Sequence, residues 1–353
     1  MGKKQKIIII ISVIITAIAG TLSYAHSNVV LSFVVSATAL ALLAKVVGDA
    51  TEQLGSRFGP AATGILQSAL GNLPELFVAI FALRAGLDKV VQAALIGSIL
   101  GNSLLVLGLA IFLGGLKNGT QRFVSEPPKM IATLMILALA GLAIPTVTQI
   151  FHTPGATHIN QLDIFLAIVL LIIFVASLFV SLKGDTSFVS PRPQSPTPHV
   201  AWPLAVTIIV LAGAGVAAGF VSDWFVRALK PAMKLLDIND TFAGLVIVAI
   251  AGNAIENVVG VQLAYKNQSD YSMSVIMNSS LQVALGLFPL LVLLSFFLGG
   301  SVLSFVLAPM LLVSLTLGVI VSAFVVMDGE SIWLEGVALI GLYLLIAAAF
   351  WWG

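Results

Sequence analysis

The chain has 353 residues, of which 59% are hydrophobic and only 9% charged, against roughly 25% charged in an ordinary soluble domain, so most of it is expected to lie in lipid. Its 16 Lys and Arg nearly balance its 15 Asp and Glu, and the net charge of +1 gives no basis for a nucleic-acid partner. With no cysteine there is no disulfide framework, no thiolate metal site and no thiol nucleophile.

A helix needs about 20 apolar residues to cross the hydrocarbon core. In chain order, spans are predicted near 7–24, 29–48, 61–83, 90–113, 130–149, 161–182, 201–222, 241–263, 272–297, 302–327 and 333–352. The first is also compatible with a signal peptide, since Lys3, Lys4 and Lys6 precede an apolar core that ends near Ser23-Tyr24-Ala25. His26, His152, His158 and His199 fall in predicted loops and read as solvated, which leaves no histidine relay within the membrane. Arg227, Lys230 and Lys234, with Trp224 and Phe225, read as an amphipathic segment lying at the interface. Asp163, Asp328, Glu330 and Glu335 sit near span ends and read as solvated, while Trp333, Trp351 and Trp352 read as interfacial anchors of the last helix.

Residues 183–200 form a Pro/Ser-rich break that reads as a cytoplasmic linker. It separates spans two to six (29–182) from spans seven to eleven (201–353), with residues 1–28 as an extra N-terminal helix. Lys and Arg are denser in the loops that are cytoplasmic if the N-terminus is inside, which predicts a cytoplasmic N-terminus and an external C-terminus. Span two then starts outside and span seven inside, so the two five-helix halves are inverted. The expected fold is an all-α polytopic membrane protein of eleven transmembrane helices, the common build of secondary transporters. Short loops and the lack of an organelle signal point to a plasma membrane.

Within the apolar spans two polar motifs stand out, Gly71-Asn72-Leu73-Pro74-Glu75 and Gly252-Asn253-Ala254-Ile255-Glu256. One constant offset carries Gly71 onto Gly252, Asn72 onto Asn253, Glu75 onto Glu256 and the later Ser98 onto Ser279. Polar residues are rare in this chain, so four matches in one register indicate internal duplication. A carboxylate at bilayer depth is costly unless it is paired, hydrated or metal-bound, and two in matching contexts predict a shared ion site. Residues three apart share a helix face, so Asn72 with Glu75, and Asn253 with Glu256, each present an amide and a carboxylate together.

Such hard oxygen ligands suit calcium, which takes six to eight oxygens at flexible geometry. Gly71 and Gly252 allow close backbone approach, and Pro74 is expected to free the carbonyl of Leu70. Ile255 replaces proline in the second motif, which predicts less helix disruption there. Ser98, Ser279 and Gln282, with Asn102 nearby, are candidates to complete the shell, or else serve as hydrogen-bonding glue between helices. Burial and mutual repulsion disfavour a doubly charged pair, so protons are expected to compete with the metal. Asp49, Glu52 and Asp223 are candidate entry or gating acids, with interfacial solvation as the alternative. Dedicated zinc or copper sites are disfavoured by the missing sulfur and imidazole. A cation channel normally needs a ring from several subunits. An intramembrane hydrolase needs an acid pair or a Ser-His pair aligned for water attack, whereas the repeated membrane-depth acids here are glutamates with asparagine neighbours, and no nucleophile–base pair or HExxH is present.

The residues Ala50-Thr51-Glu52 through Gly71-Asn72-Leu73-Pro74-Glu75-Leu76, Gly97-Ser98 to Gly101-Asn102-Ser103-Leu104-Leu105-Val106-Leu107-Gly108, Gly252 to Glu256, and Ser279-Ser280-Leu281-Gln282 resemble the calcium/proton exchangers (CAX) of the calcium/cation antiporter superfamily. The resemblance spans nearly the whole chain. It implies eleven helices in two inverted halves, no enzymatic activity, no cofactor, and Ca2+ and H+ as substrates in a lipid bilayer. It also implies Glu75 and Glu256 as central ligands and proton carriers, with Asn72 and Asn253 beside them and Ser98, Ser279 and Gln282 lining the path. Sodium/calcium exchangers carry hydroxyl-rich forms of the motif, so Gly-Asn favours protons as counter-ion over sodium, the alternative. Where the family commonly has histidine after the second glutamate, this chain has Asn257.

Overall fold

In hydrocarbon every backbone N–H and C=O must find its partner within the chain, and the apolar runs meet that demand as helices. A computed structural model describes residues 2–25, 28–58, 66, 70–183 and 202–352, without the side chains of 3, 181–183 and 254–257. The helices are α1 (Lys3–Tyr24), α2 (Val29–Gly55), α3 (Leu73–Arg84), α4 (Asp88–Leu100), α5 (Leu107–Asn118), α6 (Glu126–Ile150) and α7 (Ile159–Lys183), followed by α8 (Leu204–Leu236), α9 (Ala249–Tyr265), α10 (Ser269–Leu281), α11 (Phe288–Ser295), α12 (Pro309–Val326) and α13 (Trp333–Trp352). Three π-helical segments, Gly101–Val106, Ala243–Val248 and Gln282–Leu287, run directly into α5, α9 and α11.

Among the described residues nine helices are long and apolar enough to cross a membrane. A tenth is added if the bent pair Asp240–Asn253 and Val258–Tyr265 is one span. The start of the expected 61–83 span, the Pro/Ser-rich linker, His26 and His199 lie outside the described residues. The membrane window within Asp88–Asn118, like that within Ser269–Ser295, is 78% buried, against 22% for Pro154–Val180 and for Leu204–Leu236. The helices that carry Ser98 and Ser279 are therefore interior ones, and α7 and α8 keep broad faces for lipid.

Four expectations change. The span expected at 201–222 does not end there but runs on through the basic cluster at 227–234 as α8, 33 residues long or about 50 Å at 1.5 Å per residue. Along it Phe225, Val226, Leu229, Ala232 and Met233 are buried while Arg227, Lys230 and Lys234 face out. The span expected at 302–327 is helical only from Pro309; the residue before a proline is pushed out of the helical region, and Ala308 is extended at φ −57°, ψ 137°. Asp163 is not solvated but 1% exposed. Lastly, the all-α expectation misses a small antiparallel ladder, Gln121 with Ser331 and Arg122 with Glu330.

The chain forms two compact units, and each draws on both halves of the sequence. Unit one holds Met1–Gly86, Pro193–Asn239 and Ala251–Ile255, and unit two holds Leu87–Arg192, Asp240–Ile250 and Glu256–Gly353. In unit one α2 packs along α8, with Phe33 stacked on Phe225 at 5.0 Å between ring centroids. The buried Trp202 ties the start of this packing down. Its indole N–H donates to Gln5 Oε1 (3.0 Å), its backbone N–H donates to Gln53 Oε1 (3.1 Å), and its carbonyl accepts from Arg57. In unit two α4 meets the π segment Ala243–Val248 backbone to backbone. A methyl on Gly97 would stand 2.1 Å from the Leu245 carbonyl oxygen, and one on Gly244 2.3 Å from that of Val90. Only glycine admits this approach, the usual device for close helix contact in lipid.

Candidate ion site

In unit one the first motif sits at a helix start. Gly71 and Asn72 form a turn, α3 begins at Leu73, and Pro74 and Glu75 fill its first positions. This alters the role expected of Pro74. At the opening of a helix its missing N–H breaks no bond, so it begins α3 instead of freeing a carbonyl within a longer helix. Glu75 lies in the first turn of α3, where the positive end of the helix dipole favours a carboxylate. Asn72 is buried, and its carbonyl accepts the Leu76 N–H at 2.9 Å.

The second motif is built differently. The helix α9 keeps its hydrogen-bonded form through Gly252–Asn257 but bends by 63° between Asn253 and Val258. Asn253 is 4% exposed. The side chains of Ile255, Glu256 and Asn257 lie outside the described residues. The two motifs meet within unit one: a methyl on Gly252 would stand 2.9 Å from Glu75 Oε1 and 3.1 Å from its Cγ. Glu75 thus lies directly on Gly252, the glycine of the second motif. Glu75 is half-buried and Asn253 sealed.

Two of the three candidate entry acids have local counter-charges. Asp49 Oδ1 is 2.6 Å from Lys45 Nζ, and Asp223 Oδ2 is 2.8 Å from Arg227, each pair spaced i,i+4 on its helix. Glu52 is half-buried in the last turn of α2.

Unit two holds Ser98, Ser279 and Gln282. Ser98 and Ser279 are each 4% exposed, and Gln282 opens the third π segment. Asn102 donates from Nδ2 to Ser279 Oγ at 2.9 Å, and the hydroxyls of Ser103 and Ser280 lie 3.0 Å apart. The Ser103–Ser280 pair went unread in the sequence, although both residues directly follow the singled-out Asn102 and Ser279. The π segments were not predicted either. The offset that carries Gly71 onto Gly252 also carries element boundaries onto one another: Asp88 onto Ser269, Leu100 onto Leu281, Gly101 onto Gln282, Val106 onto Leu287 and Leu107 onto Phe288. The ends of α3 and α9, Arg84 and Tyr265, share this register, as do the left-handed residues Gly86 (φ 75°) and Asn267 (φ 61°). A π segment within an α-helix is often found at a functional site, and here two of them adjoin the residues picked out by the motif register.

Among known proteins, the family model described as sodium/calcium exchanger protein matches residues 28–183 and 206–352. The chain is 33% identical over 374 residues to the Ca(2+)/H(+) antiporter of Synechocystis sp., a match covering 99% of this chain and 98% of that protein. It is also 33% identical over 339 residues to the Ca(2+)/H(+) antiporter ChaA of Bacillus subtilis, covering 95% of each. Its structure is similar to that of native YfkE with a TM-score of 0.83 and 30% identity, over 98% of this chain and 100% of that one. These are membrane transporters and not enzymes. With matched segments over most of its length and relatives of this identity across nearly all of it, the chain belongs to the sodium/calcium exchanger protein family, within its calcium/proton exchanger branch.

Proposed function

We propose that the protein is a secondary active antiporter that exchanges Ca2+ for H+ across a membrane by alternating access, with Glu75 and Glu256 binding either one divalent cation or protons. The observation that carries this reading is the seat of Glu75 on Gly252, which joins the acid of one motif to the helix of the other. Relatives named as Ca(2+)/H(+) antiporters, matched over nearly the whole chain, support the same exchange here. Asn72 and Asn253 supply neutral oxygens, and Ser98, Ser279 and Gln282 line the path. Two carboxylates neutralise one divalent ion. When it leaves, protons relieve the repulsion between them, and if the empty, doubly charged state cannot reorient, transport is obligatorily coupled.

Eleven spans in two inverted five-helix halves (29–182 and 201–353) after an N-terminal helix (1–28) complete the proposal, with the N-terminus cytoplasmic and the C-terminus external in a plasma membrane. The element boundaries that repeat in the motif register support the duplication. Vesicles holding the purified protein, loaded at low internal pH, are expected to accumulate Ca2+ when the external pH is raised. Uptake driven by a sodium gradient and indifferent to pH would instead identify a sodium-coupled exchanger.

A further inference from the structure

Between α11 and α12 the segment 301–308 runs without helical structure, although Leu303, Phe305 and Leu307 within it are fully or almost fully buried. Several of the backbone groups around these buried residues are taken up by side chains of unit two. Gln92 Nε2 donates to the carbonyls of Ser304 (2.8 Å) and Val306 (3.1 Å). Thr146 Oγ1 donates to the Phe305 carbonyl (3.2 Å) and accepts from Leu307 N–H (2.9 Å), and Ser295 Oγ accepts from Leu303 N–H (3.0 Å). The Ser304 hydroxyl, whose oxygen accepts the Val306 N–H (3.0 Å), and the Phe305 N–H both donate to the carboxyl of Asp163 on α7.

Asp163 is 1% exposed, and its Oδ1 has no hydrogen-bond partner among the described residues. Among those residues no ion pair reaches it. On its own helix the nearest titratable residue is His158, in the turn before α7. From α4 comes Gln92, with Asp88 and Lys89 a turn earlier. The helix α6 contributes Thr146 and carries no charge after Lys129, and α11 and α12 carry none. The duplicated position makes the contrast plain. The register partner of Phe305 is Val124, whose N–H also donates to an aspartate, Asp270 Oδ1 at 2.7 Å, but Asp270 is partly exposed. A sealed carboxylate without a counter-ion, offering one bare oxygen, is the arrangement that burial disfavours most, and protonation removes the charge while leaving the two accepted bonds intact.

We propose that Asp163 holds a proton as a neutral carboxylic acid, and that this acid is the clasp of the extended 301–308 segment: a proton-binding group that belongs to neither Gly-Asn-x-x-Glu motif. Infrared difference spectroscopy on the full-length protein in lipid near pH 7 tests this. A neutral-carboxyl C=O band is expected in the wild type, unchanged by saturating Ca2+ and lost in Asp163→Asn. Asp163→Asn preserves both acceptor bonds and is expected to keep the wild-type Tm, whereas Asp163→Ala lowers it. Identical wild-type and Asp163→Asn spectra in that region would overturn the proposal, as would Asp163→Asn melting with Asp163→Ala. Should Asp163→Asn not fold, the band is read in the Glu75→Gln, Glu256→Gln protein, where it must persist; its absence there is equally fatal.

Discussion

Gly252→Ala tests the contact between the motifs through a single methyl group. The added carbon would stand 2.9 Å from Glu75 Oε1 and 3.1 Å from Cγ, whereas ordinary contact begins at 3.4 Å, so the carboxylate must retreat by about 0.5 Å. The end of a glutamate moves readily, and the cost in stability should fall below the ~1–3 kcal/mol of rigid overpacking. Calcium is less forgiving, since its oxygen ligands lie within roughly 2.3–2.6 Å and a 0.5 Å displacement exceeds that range. Weakening one charged ligand to this extent should raise Kd for Ca2+ at least about tenfold, or ~1.4 kcal/mol. The assay is calorimetric titration of purified Gly252→Ala beside Gly213→Ala, a helical glycine with nothing within 4 Å of the added carbon. The control should bind as wild type and gain up to ~1 kcal/mol in stability. Unchanged calcium affinity in Gly252→Ala would refute the argument that Glu75 binds from its seat on Gly252.

Other substitutions probe separate links. Glu75→Gln and Glu256→Gln are each expected to abolish exchange in vesicles while the protein remains folded, and robust transport by either single variant would remove the two-carboxylate site. Gly97→Ala and Gly244→Ala force a methyl to within 2.1 and 2.3 Å of a backbone oxygen, so each should lose ~3 kcal/mol or more of stability, seen as a sharp drop in Tm or in folded yield. Asn102→Ala withdraws the donor that holds Ser279 Oγ at 2.9 Å; a loss of about 1 kcal/mol is expected for one such hydrogen bond, measured by thermal melting with and without Ca2+. Asn257→His should shift the pH profile of exchange, and an unmoved profile would make that position incidental.

The parts of the fold that sequence reveals are those whose physics is local. A carboxylate in an apolar run is visible without coordinates, and so is its echo in the second half of the chain, because rarity alone marks both. The continuity of the basic segment with α8 is hard to read locally because Arg227, Lys230 and Lys234 draw the eye. The buried Val226, Leu229, Ala232 and Met233 between them follow the helical period and continue the span. The burial of Asp163 escapes a local reading for a different reason. Its partners Ser304 and Phe305 are far away in the chain, in a stretch whose apolar composition hides its non-helical course; Pro309 was the one local sign of that break. The seat of Glu75 on Gly252 is likewise a long-range contact. The register pairs Gly252 with Gly71 and is silent on which residue fills the space its missing side chain leaves.

The claim at the centre of this account is that protons and calcium compete for the same pair of glutamates. It is tested most directly by adding Ca2+ to weakly buffered, purified protein near neutral pH and recording calcium binding and proton release together. Calcium should displace protons from the wild type, and the Glu75→Gln, Glu256→Gln protein should neither bind the ion nor release protons. Calcium binding with no proton release, or release undiminished in the doubly substituted protein, would contradict it.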